Sequence, residues 1–95
     1  MIFEWDPAKA EADLVKHGVS FEEAATVLDD PLAQTFDDPD HSESEHRFLT
    51  FGVSRQRRAL VVGHCDRPER VRIITARPMT RREKRQHEKG TRQAR

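Results

Sequence analysis

The chain has 95 residues, 36% of them charged and 35% apolar, with 17 basic and 17 acidic side chains and no formal net charge. That length allows one small domain, and balanced charge removes the self-repulsion that keeps charge-rich chains open. Cys65 is the single cysteine, which excludes an intrachain disulfide and a cysteine-based zinc site; the longest apolar run, 59–63, is too short to cross a bilayer.

Residues 2–5 (IFEW) read as a short first strand. Asp6-Pro7 then opens a helix, with Asp6 as N-cap and Pro7 at the first helical position, where a missing N–H costs nothing. It is predicted to run to about His17 and stop at Gly18. A second helix opens at Ser20-Phe21-Glu22-Glu23, whose Ser20 and Glu23 match a capping box. Phe21, Ala24, Ala25 and Leu28 then repeat at the spacing of one buried face, and Asp29-Asp30-Pro31 ends it. Residues 33–37 suit an edge strand, and 37–46 (DDPDHSESEH) a polar loop. Three β-rich runs follow at 47–53, 59–65 and 71–76, with separators short enough for antiparallel hairpins. A second capping box, Thr80-Arg81-Arg82-Glu83, starts a final helix ending near Gly90. That helix carries almost no apolar residues, so it is expected on the surface or against a partner.

The order predicts an α+β fold in which two helices pack on one face of a twisted antiparallel sheet of about four strands. One domain is expected over 1–90, with a basic tail at 91–95. Glu4 and Asp6 interrupt any signal-peptide core, so a cytoplasmic protein without membrane contact is expected.

The zero net charge conceals a division. Residues 1–46 hold 13 acids and 2 bases, whereas residues 47–95 hold 4 acids and 15 bases. A basic half suggests a polyanionic partner, most simply nucleic acid. The alternative is that the halves neutralise each other within the fold.

The four glycines are isolated, and no phosphate-binding loop, nucleophile elbow or HExxH occurs. This argues against NTPases, dehydrogenases and common hydrolases, and calls for no cofactor. Asp37, Asp38, Asp40, His41, Glu43, Glu45 and His46 could surround a divalent cation, but the loop lacks EF-hand spacing and a turning glycine. It reads better as a solvated charge run, and no metal site is assigned. His64 and Cys65 are adjacent on a strand and so point to opposite faces. Cys65 reads as a core residue and His64 as a partly buried structural one. A helix dipole accounts for Lys16 and His17 at a helix C-terminus without any function.

The segment RVRIITARPMTRREKRQHE (70–88) carries the most chemistry. Arg72 and Arg77 lie on the last strand, and Arg81, Arg82 and Arg85 on the final helix, where Glu83 and His87 share a face four residues apart. Guanidinium groups suit a phosphodiester. RNA is cleaved without metal when its own 2′-hydroxyl attacks the neighbouring phosphate, given a base, an acid and cations for the developing charge. The alternative is a helix that only binds RNA or a protein.

FEWDPAKAEADLVKHGVSFEEAATVLDDP, EHRFLTFGVS and RVRIITARPMTRREKRQHE, in that order and spacing, resemble the BrnT family of bacterial type II toxins over about residues 2–89. The resemblance implies a RelE-like fold and a ribonuclease that arrests translation. It also implies neutralisation by a ribbon-helix-helix antitoxin of the BrnA type, with operator DNA bound only through the toxin–antitoxin complex. The positions that match are Lys16 and His17 in KHG, Arg47 before the FL strand, Arg77 in I-x-AR, and Glu83. Many relatives have Tyr near the place of His87; histidine keeps acid–base work possible there, since it titrates nearer neutrality. The site expected is Arg77, with Arg72 or Arg47, on the scissile phosphate, Glu83 or His87 as base or acid, and His17 contributing. Lys16, Arg47, Arg81, Arg82 and Arg85 would bind RNA.

Overall fold

A computed structural model describes residues 1–38 and 45–93. β1 (Ile2–Glu4) leads into α1 (Pro7–His17) and α2 (Phe21–Val27), then β2 (Gln34–Asp37), β3 (Arg47–Val53), β4 (Ala59–Arg67), β5 (Arg70–Pro78) and α3 (Arg81–Gln93).

α1 begins and ends where its capping residues predict. The Asp6 carboxylate accepts the Ala8 N–H at 3.0 Å. Gly18 takes the left-handed conformation (φ 70°) that a side chain would resist, and its N–H returns to the Leu14 carbonyl. α2 forms only half of its capping box. Ser20 Oγ accepts the Glu23 N–H at 3.0 Å, but the Glu23 carboxylate turns inward to Ser54 Oγ (2.7 Å) and the Arg58 guanidinium. Arg58 also donates to the Gly18 carbonyl (2.9 Å), so one buried carboxylate ties the helix pair to the β3–β4 turn. That fixed partner, the Arg58 guanidinium, holds the Glu23 carboxyl below its usual range despite burial.

The sheet corrects the four-strand expectation. Five strands lie in the order β1-β5-β4-β3-β2, and β1 pairs with β5 in parallel, Ile2 to Glu4 facing Arg70 to Arg72. The remaining pairs are antiparallel. β1 is too short to cover β5, and α1 takes over as its neighbour. The buried Asp13 carboxylate accepts the Ala76 N–H at 3.0 Å and the Thr75 hydroxyl at 2.8 Å, satisfying an edge that would otherwise be open.

One face of the sheet carries the core, in which Val19, Phe21, Ala24 and Val27 pack on Leu60, Val62, Ile73 and Ala76. Trp5 meets Phe21 edge to face at 5.9 Å. His64 lies on this face, as its alternation with Leu60 and Val62 requires. Its ring bridges Asp66 and Thr50, both at 2.7 Å, and Thr50 passes the chain to Thr35. Cys65 faces the other way and is buried, which raises its thiol above the usual range and makes it a poor nucleophile.

α3 lies on the second face of the sheet, with most of its residues exposed. Its buried residue His87 turns toward β2 and β3, and Gly90 lies directly on Gln34, whose amide a Cβ at that position would meet at 2.1 Å. α3 continues past Gly90 to Gln93, so part of the expected tail is helical.

Candidate active site

β5 ends at Pro78, and two residues later Thr80 caps α3. Met79 between them is buried, and its N–H binds the Ala59 carbonyl, fixing the strand-to-helix corner. Both halves of the second capping box form: Glu83 N–H donates to Thr80 Oγ1 at 3.1 Å, and Thr80 N–H donates to Glu83 Oε1 at 2.8 Å. The box turns the Glu83 carboxylate back toward the strand it follows. There it meets Arg77, Nη1 donating to Oε1 at 2.8 Å and Nη2 to Oε2 at 2.9 Å. Nη1 also donates to the Pro78 carbonyl at 3.2 Å.

These bonds use one Nη2 hydrogen and both of those on Nη1. The remaining two donors, Nε–H and the outer Nη2–H, lie parallel along one edge of the planar guanidinium and have no partner among the described residues. Arg77 is therefore held by its end-on fork while its side-on fork stays open, in the geometry that grips two oxygens of a phosphate. The guanidinium in turn pulls the Glu83 carboxyl from 4.5 to about 2, against the opposing effect of burial. A carboxylate so stabilised has little affinity for a proton, which argues against Glu83 as the base or acid expected from sequence and for it as the group that aims Arg77.

His87 follows one turn later on the same face of α3. The residue is 8% exposed, and Nδ1 is buried with no hydrogen-bond partner among the described residues; leaving such an atom unpaired costs about 1–3 kcal/mol. His87 and Glu83 line a pocket of about 120 Å³ with Gln34, Phe36, Phe51 and Gln86.

The other expected residues divide. Lys16 and His17 come one turn after Asp13, on the side of α1 that meets β5, and near the end of β5 that carries Arg77. Arg72 and Arg77 are five apart, which alternation places on opposite faces. A bulge at Ile74, which has no partner on β4, reverses the parity, so both face α3's side. They do not converge, however. Arg72 pairs with Cys65 and Arg77 with Val61, four positions away on β4, a separation of about 13 Å along the strand. Arg72 is tied to Glu4 at 3.3 Å, and Arg47 sits across from Cys65 at the same end. The expected sharing of one phosphate by Arg77 with Arg72 or Arg47 is thus corrected: Arg72 and Arg47 lie at the other end of the sheet with Arg67, which binds Glu45 and Glu4. Arg58, Arg67 and Arg72 each form an ion pair with an amino-terminal carboxylate.

Arg81, Arg82 and Arg85 are exposed on α3 and make no ion pair with a described residue. Among the described residues no group of three His, Cys, Asp or Glu side chains is arranged to hold a metal; Asp40, His41 and Glu43 lie outside them. Sequence reasoning missed Asp13, Gln34, Phe36 and Gln86. An edge-strand phenylalanine in a polar context was the one available signal.

The family model for the ribonuclease toxin BrnT of type II toxin–antitoxin systems matches residues 5–83. The chain belongs to the BrnT family. In the crystal structure of the Brucella abortus ribonuclease toxin BrnT the same fold recurs, with a TM-score of 0.66 and 18% identity over 85% of this chain and 100% of that one. No curated protein matches the chain. The BrnT match includes Lys16, His17, Arg47, Arg72, Arg77 and Glu83 and stops before His87, so α3 beyond its first turn is read on this chain's own geometry. Membership in a type II system implies an antitoxin partner.

Proposed function

We propose that this chain is a metal-independent endoribonuclease that arrests translation, with Arg77 as the residue that holds the scissile phosphate. The observation that carries the reading is the open side-on fork of Arg77, aimed by Glu83. A fixed guanidinium binds the phosphate in the ground state and stabilises the second negative charge that develops as the 2′-hydroxyl attacks. The attacking oxygen loses its proton to a base, the phosphorus–5′-oxygen bond breaks, and an acid protonates the departing oxygen. The products are a 2′,3′-cyclic phosphate and a free 5′-hydroxyl. In this reading His87, one turn from Glu83, and His17, beside the end of β5, exchange those protons, and Lys16 adds charge at the same edge. Arg81, Arg82 and Arg85 guide the strand, and Arg47 and Arg72 meet RNA further along the sheet.

In this reading a ribbon-helix-helix antitoxin of the BrnA type neutralises the toxin in the cytoplasm, and operator DNA is bound only by their complex. Cleavage of RNA in EDTA, with cyclic-phosphate ends, is the decisive test. Activity that disappears with chelator and returns with Mg²⁺ refutes the metal-free route. Salt-sensitive binding without any cleavage product refutes catalysis and leaves a binding module.

A further inference from the structure

We propose that the pocket between α3 and the β2–β3 edge is a subsite for one unpaired RNA base next to the scissile phosphate. The inference rests on the ribonuclease reading and adds to it how the strand is recognised.

The pocket's size fits one planar heterocycle. At about 120 Å³ and open to solvent on one side, it has room for a base entering edgewise with its sugar left outside. One wall is aromatic. Phe36 is 54% exposed although it belongs to a strand, and Phe51 meets it edge to face at 5.7 Å and 80°. Phe51 thus supports the ring and leaves a Phe36 surface for stacking, which every base accepts through its π-face.

The mainly apolar surface also carries polar groups without a protein partner. Neither the Gln34 nor the Gln86 amide has a hydrogen-bond partner among the described residues, and each offers both a donor and an acceptor to a base edge. His87 adds a residue that is more than nine-tenths buried, with Nδ1 lacking a partner among the described residues. A pocket serving only to pack α3 on the sheet would be expected to satisfy or exclude a buried atom such as His87 Nδ1. Position agrees with chemistry. Glu83 lines the pocket and holds Arg77, so one carboxylate joins the base subsite to the residue assigned to the scissile phosphate. The exposed Arg81 and Arg85 lie on the adjoining turns of α3.

The subsite is tested on the full chain by NMR titration with each of the four nucleoside 3′-monophosphates, with inorganic phosphate and benzene as controls. The Gln34 and Gln86 side-chain amides and the His87 ring are expected to shift with at least one nucleotide and with neither control. Phe36→Ala is expected to weaken that binding at least tenfold while thermal unfolding shows the chain still folded, because the ring it removes is largely exposed. Gln34→Ala is expected to change the order of preference among the four. Shifts reproduced by phosphate would leave an anion site only, and shifts reproduced by benzene would leave an apolar groove suited to a protein side chain. Either result overturns the proposal, as does unaltered nucleotide binding by Phe36→Ala. The two readings fail separately: base binding without RNA cleavage refutes the ribonuclease, and cleavage without base binding refutes the subsite.

Discussion

Arg77 and Glu83 face each other through two parallel N–H···O bonds of 2.8 and 2.9 Å, across the corner where the last strand becomes the last helix. The pair leaves the arginine's second fork open. Arg77→Ala is expected to lower RNA cleavage by on the order of 100–1,000-fold and to relieve growth arrest. Arg77→Lys should recover little, because an ammonium keeps the charge and loses the paired donors. Circular dichroism must show both variants folded. Full activity in the lysine variant would mean that charge alone suffices.

Glu83→Gln separates aiming from charge. The amide can still accept from Thr80 but no longer binds Arg77 as a carboxylate, so cleavage should fall less than in Arg77→Ala. Stability should respond to pH in a defined direction. Glu83 has a folded-state value of about 2 against the usual 4.5, so the folded chain binds fewer protons than the unfolded one between these values. The stabilisation is complete above about 4.5 and is lost as pH falls through about 2. It is on the order of 3 kcal/mol. Urea midpoints measured across that window should fall more steeply for the wild type than for Glu83→Gln.

What sequence makes legible here is set by locality. The caps of α1, the span of β3 and the opening of α3 depend on residues within a few positions, and they occur where Asp6, Gly18 and Thr80-Glu83 place them. Glu23 shows the limit, since its spacing from Ser20 matches a capping box while its carboxylate is claimed by Arg58, 35 residues later. The same holds for the site. Arg77, Glu83 and His87 are close in sequence and close in space. The separation of Arg72 from Arg77 depends on long-range pairing with β4, and their shared face on a bulge that no local pattern marks. β1 carries too few residues to reveal that it pairs in parallel at the far side of the sheet. Gln34 and Phe36 join the site only because α3 crosses the second face.

Asp13 presents as a surface helical acid and behaves as a core residue. Burial opposes its ionisation, but hydrogen bonds from Ala76, Thr75 and Lys9 outweigh that and hold the carboxyl below its usual value. Asp13→Ala leaves the Ala76 N–H without an acceptor at the uncovered edge of β5, and should cost on the order of 3 kcal/mol. Thr75→Val removes one of the bonds and should cost about 1 kcal/mol. Urea unfolding of the two variants and the wild type provides the comparison. Equal small losses would show that water replaces Asp13 at the edge.

The exposed arginines of α3 should act through electrostatics rather than geometry, which predicts a different signature from that of Arg77. Each phosphate neutralised on a single strand contributes about −0.7 to the slope of log affinity against log salt concentration. Replacing Arg81, Arg82 and Arg85 together by alanine should therefore weaken RNA binding at low salt and flatten that slope by up to ~2. Near the salt concentration where those counterions no longer matter, the variant and the wild type should bind alike. Arg77→Ala removes one such contact and should change the slope by less than 1, while losing far more cleavage than binding. Binding isotherms on an uncleavable 2′-O-methyl RNA at several salt concentrations measure both effects. If the triple variant keeps the wild-type slope, α3 does not lie along the RNA, and its cations serve another surface.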